Sequence, residues 1–123
     1  MSDPAVPTFA SVAIDCPDPL ALADFYSRLL GWEVSADDPT GEWVNVRPPS
    51  GGPSIDFQRA AGFVAPTWPD PAVQQQLHID FDVADLAAGH VRAIELGATL
   101  LDVQDTFHVF ADPVGHPFCL CAA

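Results

Sequence analysis

The chain has 123 residues, 49% of them hydrophobic, and 17 acidic against 4 basic residues give a net charge of −13. That is long enough for one sizeable core and too apolar for disorder, and the charge excludes nucleic acid and anionic membranes, which need clustered Lys and Arg. No apolar run nears the roughly 20 residues that span a bilayer, the start "MSDPAVPTF" lacks the basic and apolar regions of a signal peptide, and three cysteines are an odd set for a disulfide framework, so the expected setting is cytoplasmic.

In chain order, "SVAIDC" from Ser11 alternates as a strand does. Asp18 then suits a helix N-cap and Pro19 the first helical position. Leu22, Phe25 and Leu29 form the helix's apolar stripe, and Gly31 stops it. Three strand-like pieces follow, "WEVSA", "EWVNVR" and "SIDFQ", the last two separated by the turn "PPSGGP". Residues 61–76 are Pro-rich and read as a linker, with no helix before about Pro71. The pattern then repeats. "LHIDFDV" alternates from Leu77, Asp85 caps a helix striped by Ala87, Val91 and Ile94, and Gly97 ends it. "ATLLDV", "FHVFAD" and "FCLCA" complete the second half, with "DPVGHP" as its last turn. The chain thus reads as an α+β fold of two βαβββ modules, at about 8–60 and 77–122, in one domain over 1–123.

Each helix needs an apolar sheet face beneath it. Val12, Ile14, Cys16, Val44, Val46, Ile55, Phe57, Ile79, Phe81, Phe107, Val109, Phe118 and Leu120 supply that face by alternation. The opposite face then carries Ser11, Asp15, Trp43, Arg47, Asp56, Gln58, His78, Asp80, Asp82, His108, Phe110, Cys119 and Cys121. A solvated face has little use for Trp43, Phe110 and two thiols, so this face is expected to line a cup-shaped, curved sheet that takes a ligand, with both helices on the convex side. His90, on the second helix, and His116, in a turn, are read as surface residues.

The motifs "DCPDPLALADFYSRLLGWEV", "LHIDFDVADL", "AIELGATLL" and "VFADPVGHPFCL" resemble the two modules of the vicinal oxygen chelate superfamily, which includes glyoxalase I, bleomycin-resistance proteins and extradiol dioxygenases. The resemblance covers about residues 8–122 and is closest to small glyoxalase-like proteins. It implies paired modules forming a cup, a homodimer, and often a divalent metal on four positions that correspond here to Ser11, Asp56, His78 and Cys119. Serine at the first position departs from the family's histidine, and Cys119 stands where a carboxylate or similar ligand is usual. Asp56, His78 and Cys119 would remain as a three-ligand metal set with an open position.

The candidate ligand-binding residues are therefore Ser11, Asp15, Trp43, Arg47, Asp56, Gln58, His78, Asp80, His108, Phe110 and Cys119. No catalytic residue is assigned, and the expected state is free of metal. His78 is either a hydrogen-bonded cavity residue or a ligand contact and general base. Asp80 and Asp82 either pair with Arg47 or bind the guest. Trp68 in "PTWPDP" either folds over the rim or staples the linker to the core. The carboxylates and aromatic rings would suit a cationic or aromatic natural product held without metal, as bleomycin-resistance relatives hold theirs. The alternatives are a metal-dependent lyase, isomerase or dioxygenase acting on vicinal oxygens, and an interaction protein with a vestigial cup. No phosphate loop or nucleophile elbow is present.

Overall fold

The computed structural model describes residues 3–123. The chain divides into two compact units, Met1–Arg59 and Ala60–Ala123. In the first, β1 (Ser11–Cys16) is followed by α1 (Pro19–Leu30), β2 (Glu33–Ser35), β3 (Trp43–Arg47) and β4 (Ser54–Arg59). The second repeats the order with β5 (Ile79–Val83), α2 (Leu86–Glu95), β6 (Thr99–Val103), β7 (Phe107–Ala111) and β8 (Pro117–Ala122). The fold is α+β, with one βαβββ module in each unit.

Each module makes a four-stranded mixed sheet, ordered β1-β4-β3-β2 in the first and β5-β8-β7-β6 in the second. First and last strands pair parallel, and the other neighbours pair antiparallel. A parallel pair needs a crossover, and the helix supplies it. Asp18 and Asp85 cap the helices as expected, accepting the N–H groups of Ala21 and Ala88.

The core of the first unit follows the sequence pattern. Ile14, Cys16, Val44, Val46, Ile55 and Phe57 are buried, with Leu22, Phe25 and Tyr26 of α1. Tyr26 stacks on Phe57 with ring centroids 5.5 Å apart.

The second unit departs from it in three places. First, α2 turns Gly89 and Ala93 inward, while Val91 and Ile94 are exposed. The helix lies so close to the sheet that a Cβ on Gly89 would stand 3.0 Å from Val83 Cγ2 and 3.3 Å from Leu120 Cδ1. Large side chains have no room on that line. Second, β7 has the opposite phase to the expected one. His108 lies directly across from Leu120 and Phe110 from Phe118, so His108 and Phe110 stand on the helix side of the sheet. Phe110 is fully buried and stacks on Phe118 at 5.4 Å. Phe107 and Val109 take the other face, across from Cys121 and Cys119. Third, of the two histidines read as surface residues, one is partly covered and the other is buried. His90 is half-buried against His108, and His116 is buried in the β7–β8 turn.

That turn explains His116. The Asp112 carboxylate accepts the N–H groups of Val114 and His116 at 3.0 Å each, closing the loop. Gly115 has φ 106°, and a Cβ there would stand 3.0 Å from Ala65 Cβ. The segment before β5 therefore lies against the turn, with the Phe63 ring 5.4 Å from that of His116.

The reversed phase of β7 has a measurable consequence. Phe110→Ala should cost about 3–5 kcal/mol, the range for a buried ring. Phe107→Ala, half-buried on the open face, should cost clearly less. Urea unfolding of both variants checks this, and equal costs would contradict the assigned faces.

Candidate functional site

The polar chemistry of the second unit collects on the sheet face away from α2. Parallel pairing sets Asp80 beside Cys119 and Asp82 beside Cys121. Antiparallel pairing sets Val109 and Phe107 on the other side of the same two cysteines. His78 precedes β5 in the same alternation. Its Nε2 lies 3.4 Å from Asp80 Oδ1, and donor atoms of His78, Asp80 and Cys119 all fall within 4.8 Å of one another. His78 and Asp80 are exposed, while Cys119 is buried beneath them.

A hollow of about 250 Å³ opens beside this cluster. Trp68, Phe107, Val109 and Pro117 give it an apolar wall, and His78, Gln75, Asp102 and Cys119 add polar groups. A second hollow of about 230 Å³ shares His78, Phe107 and Cys119 and adds Asp80 and Cys121. Trp68 is held there by a loop that closes on itself. Thr67 Oγ1 accepts the N–H of Val73 at 2.9 Å and donates to the carbonyls of Asp70 and Val73, while the Thr67 N–H donates to the Val73 carbonyl at 2.9 Å. Asp70 caps the loop by accepting the Ala72 N–H at 2.8 Å. Trp68 thus stands against the hollow, beside Gln75, Phe107, Val109 and Pro117.

Burial pushes the Cys119 thiol up to about 12, helped by its hydrogen bond to Asp80, by the negative charge of Asp80 and, at alkaline pH, by that of an ionised Cys121. Burial also raises the Cys121 thiol, with Asp80 and Asp82 adding to it. Both groups are thiols at neutral pH, and neither is an activated nucleophile. Cys119 acts here as a hydrogen-bond donor. The cluster can accept hydrogen bonds and positive charge at Asp80, donate or accept at His78, and offer a polarisable sulfur below them.

In the first unit the polar residues share one face as expected. Ser11 pairs with Ser54, Ala13 with Asp56 and Asp15 with Gln58. Trp43 lies across from Gln58, Asn45 across from Asp56, and Glu33 across from Arg47. Asp56 is buried, and Ser54 Oγ donates to it at 2.7 Å. Ser54 was absent from the sequence reading, although its place two residues before Asp56 puts it on the same face. Arg47 lines a separate polar hollow of about 510 Å³ with Glu33, Ser35 and Asp37.

The structure thus groups His78, Asp80 and Cys119, and it keeps His108 and Phe110 on the opposite side of their sheet. Within the second unit the carboxylate that joins His78 and Cys119 is Asp80, which the resemblance did not include in its metal set. Parallel register brings Asp80 to Cys119, and Asp56, in the first unit, is engaged by Ser54 there. Phe107, Val109, Gln75, Asp102 and Pro117 were missed. Only a correct phase for β7 would have found the first two.

Paired βαβββ modules, each with its polar face turned from its helix, define the class of protein. The chain belongs to the glyoxalase-like domain family, whose model its residues 11–121 match. Among curated proteins none matches it. Its structure is similar to that of a glyoxalase/dioxygenase from Nostoc punctiforme, with a TM-score of 0.72 and 19% identity over 99% of this chain and 94% of that one. It is also similar to the oxidase ChaP-H2, at 0.68 and 24% over 94% and 93%. A third similar structure is TnmS3, an antibiotic-binding protein from Streptomyces sp. CB03234, at 0.64 and 22% over 96% and 97%. At these identities the likeness carries the fold and no activity.

The raised thiol gives a test with a definite sign. A folded-state value near 12 against an ordinary 9.0 means that the proton on Cys119 stabilises the fold fully below about pH 9. That contribution is lost as pH rises from about 9 toward 12. The urea midpoint should fall more steeply across this window in the wild type than in Cys119→Ser. Asp80→Asn removes an acceptor and a charge, so it should speed alkylation of Cys119 at pH 9. Alkylation at an unchanged rate would show that Asp80 does not govern the thiol.

Proposed function

We propose that the protein binds a cationic or aromatic small molecule at the open face of its second unit. The observation that carries this is the hollow walled by Trp68, Phe107, Val109 and Pro117, with His78 and Cys119 among its polar residues and Asp80 beside them in the adjoining one. At about 250 Å³ it lies just below the roughly 300–1,000 Å³ of drug-sized sites, so it suits a planar group of one or two rings, or part of a larger guest. A cation over Trp68 or Phe107 gains roughly 0.5–2 kcal/mol. The net charge of −13 favours the same sign of guest. That a protein of this fold is an antibiotic-binding protein supports the reading. On the first unit, Trp43, Asp56, Asp15, Gln58, Ser11 and Arg47 remain candidate ligand contacts in their own right.

Titration of tryptophan fluorescence with panels of cationic, neutral and anionic aromatic compounds tests it. Cationic aromatics should bind best, with affinity falling as salt rises. Asp80→Asn should weaken binding and flatten the salt dependence. Trp68→Ala should weaken it and leave that dependence unchanged. Thr67→Val, which removes the hydroxyl of the loop clasp, should act as a milder Trp68→Ala. Preference for anionic compounds, or recovery of the guest chemically altered, overturns the proposal.

A second reading rests on a different observation, the convergence of His78, Asp80 and Cys119 donors within 4.8 Å. One nitrogen, one oxygen and one sulfur ligand with an open position fit a zinc-like ion. Bound there, a divalent ion would act as a Lewis acid toward vicinal oxygens of a substrate, in a lyase, isomerase or dioxygenase. The chain's own part would be to surrender the Cys119 proton on binding. Elemental analysis of purified protein separates the readings. One metal per chain, lost in both His78→Ala and Cys119→Ser, favours the second, and a metal-free protein that still binds cationic aromatics favours the first.

A further inference from the structure

We propose that the open face of the second unit takes a guest with two positive ends, a diamine or diamidine whose cations are joined by an aromatic body, with Asp80 and Asp102 as its two anchors. This rests on the reading of that face as a cation-binding surface and names the class of cation.

Four residues line up across the whole sheet. Asp80 of β5 pairs with Cys119 of β8, Cys119 with Val109 of β7, and Val109 with Asp102 of β6. Residues paired directly across strands share a face, so the row runs along the open side with a carboxylate at either end. Asp102 reaches that row only through an irregularity. The register of β6 against β7 shifts between Leu100 and Asp102. Under strict alternation Leu101 would oppose Val109, and Asp102 would oppose His108, on the helix side. One extra residue, Leu101, turns Asp102 over to the open face, as bulges do. The Gln104 side chain then donates to Asp102 Oδ2 at 2.9 Å, which steadies the carboxylate and leaves its charge intact.

The hollows divide in the same way. Asp102 lines the one of about 250 Å³ and Asp80 the one of about 230 Å³, and His78, Phe107 and Cys119 are common to both. One guest can therefore extend through both, with a cation in each and its apolar middle over Phe107 and Val109. Strands lie about 4.8 Å apart, so three steps put the Cα atoms at the ends of the row about 14 Å apart. Charge-assisted contacts of about 2.8 Å at each end then set the guest's cations about 8–14 Å apart. The unit has little positive charge of its own to offer these ends. Arg92 is the one Arg or Lys of residues 60–123, and it lies on α2, across the sheet. His78 can answer Asp80 at 3.4 Å, while among the described residues Asp102 is met only by the neutral Gln104.

The test titrates the full-length protein calorimetrically with three probes. One is a biphenyl bearing a single aminomethyl group, one a biphenyl bearing an aminomethyl group at each end, and one a biphenyl bearing both groups on the same ring. The end-to-end diamine should bind about fivefold or more tighter than the monoamine, beyond the roughly twofold that two equivalent ends give by statistics. Its affinity should also fall more steeply with salt. The same-ring diamine, equal in charge, should bind more weakly than the end-to-end one. Asp102→Asn should bring the ratio of end-to-end diamine to monoamine affinity down to about twofold or less. A monoamine that binds while the end-to-end diamine gains no more than about twofold overturns the two-ended guest and leaves the cation-binding surface standing. So does a ratio that survives Asp102→Asn, or a same-ring diamine that binds as well as the end-to-end one. If none of the three binds, the cation-binding surface itself fails, and the two-ended guest with it. Should Asp102→Asn not fold, the two diamines on the wild type decide the question.

Discussion

In each module the first and last strands pair parallel and in register, and the chemistry of the second unit hangs on that pairing. β8 lies between β5 and β7, so every residue on it has a neighbour on both sides. The register puts Asp80 at Cys119 and Asp82 at Cys121. A slip of one residue would carry Phe118 and Leu120 to the open face and both thiols into the core. Burial of four consecutive residues, Pro117 to Leu120, holds the strand against such a slip. The crossover helix is what makes a parallel pair possible, so the caps at Asp18 and Asp85 serve the site indirectly by fixing where each helix begins.

This pairing sets the character of the site as well as its position. A thiol beside a carboxylate in a partly dry place stays protonated, because ionising it would put two like charges together. Cys119 is thereby kept out of nucleophilic chemistry and left as a donor to Asp80. With Asp80, Asp82 and Asp102 on one small unit, the chemistry available to a guest is that of accepting positive charge next to aromatic surface. A metal would change this balance, since it stabilises the thiolate that the carboxylate opposes. An organic cation and a metal ion would therefore compete for one electrostatic feature.

The sequence was most legible where a strand had one apolar and one polar face. β1, β3, β4 and β5 are of that kind, and the phases of Ser11, Asp56, His78 and Asp80 followed from alternation alone. "FHVFAD" carries apolar residues on both faces, so period two gives a strand without giving its phase. Placing His108 on the open face was the wrong one of the two phases, because a half-buried histidine with a partner sits on a core face at little cost. The stripe on α2 failed for a related reason. Val91 and Ile94 are the larger apolar residues, but the inward line was chosen by space, and only Gly89 and Ala93 fit it. The Trp68 loop was out of reach for a third reason. Its shape comes from hydrogen bonds to the side chain of Thr67, which no periodicity reports.

The two misread elements are one structural event. A helix with leucine or isoleucine on its inner line would stand further from the sheet. Gly89 lets α2 come close enough that a Cβ at that position would touch Val83 and Leu120. At that separation the next residue, the partly covered His90, reaches β7, where its Nδ1 lies 2.8 Å from that of His108. A phenylalanine would leave it unpaired. His108 answers it, and this requires β7 to turn His108 and Phe110 toward the helix. That choice sends Phe107 and Val109 to the other face, where they become the apolar wall beside Cys119. The hollow on one side of the sheet and the histidine pair on the other therefore share a cause in the absence of a side chain at Gly89.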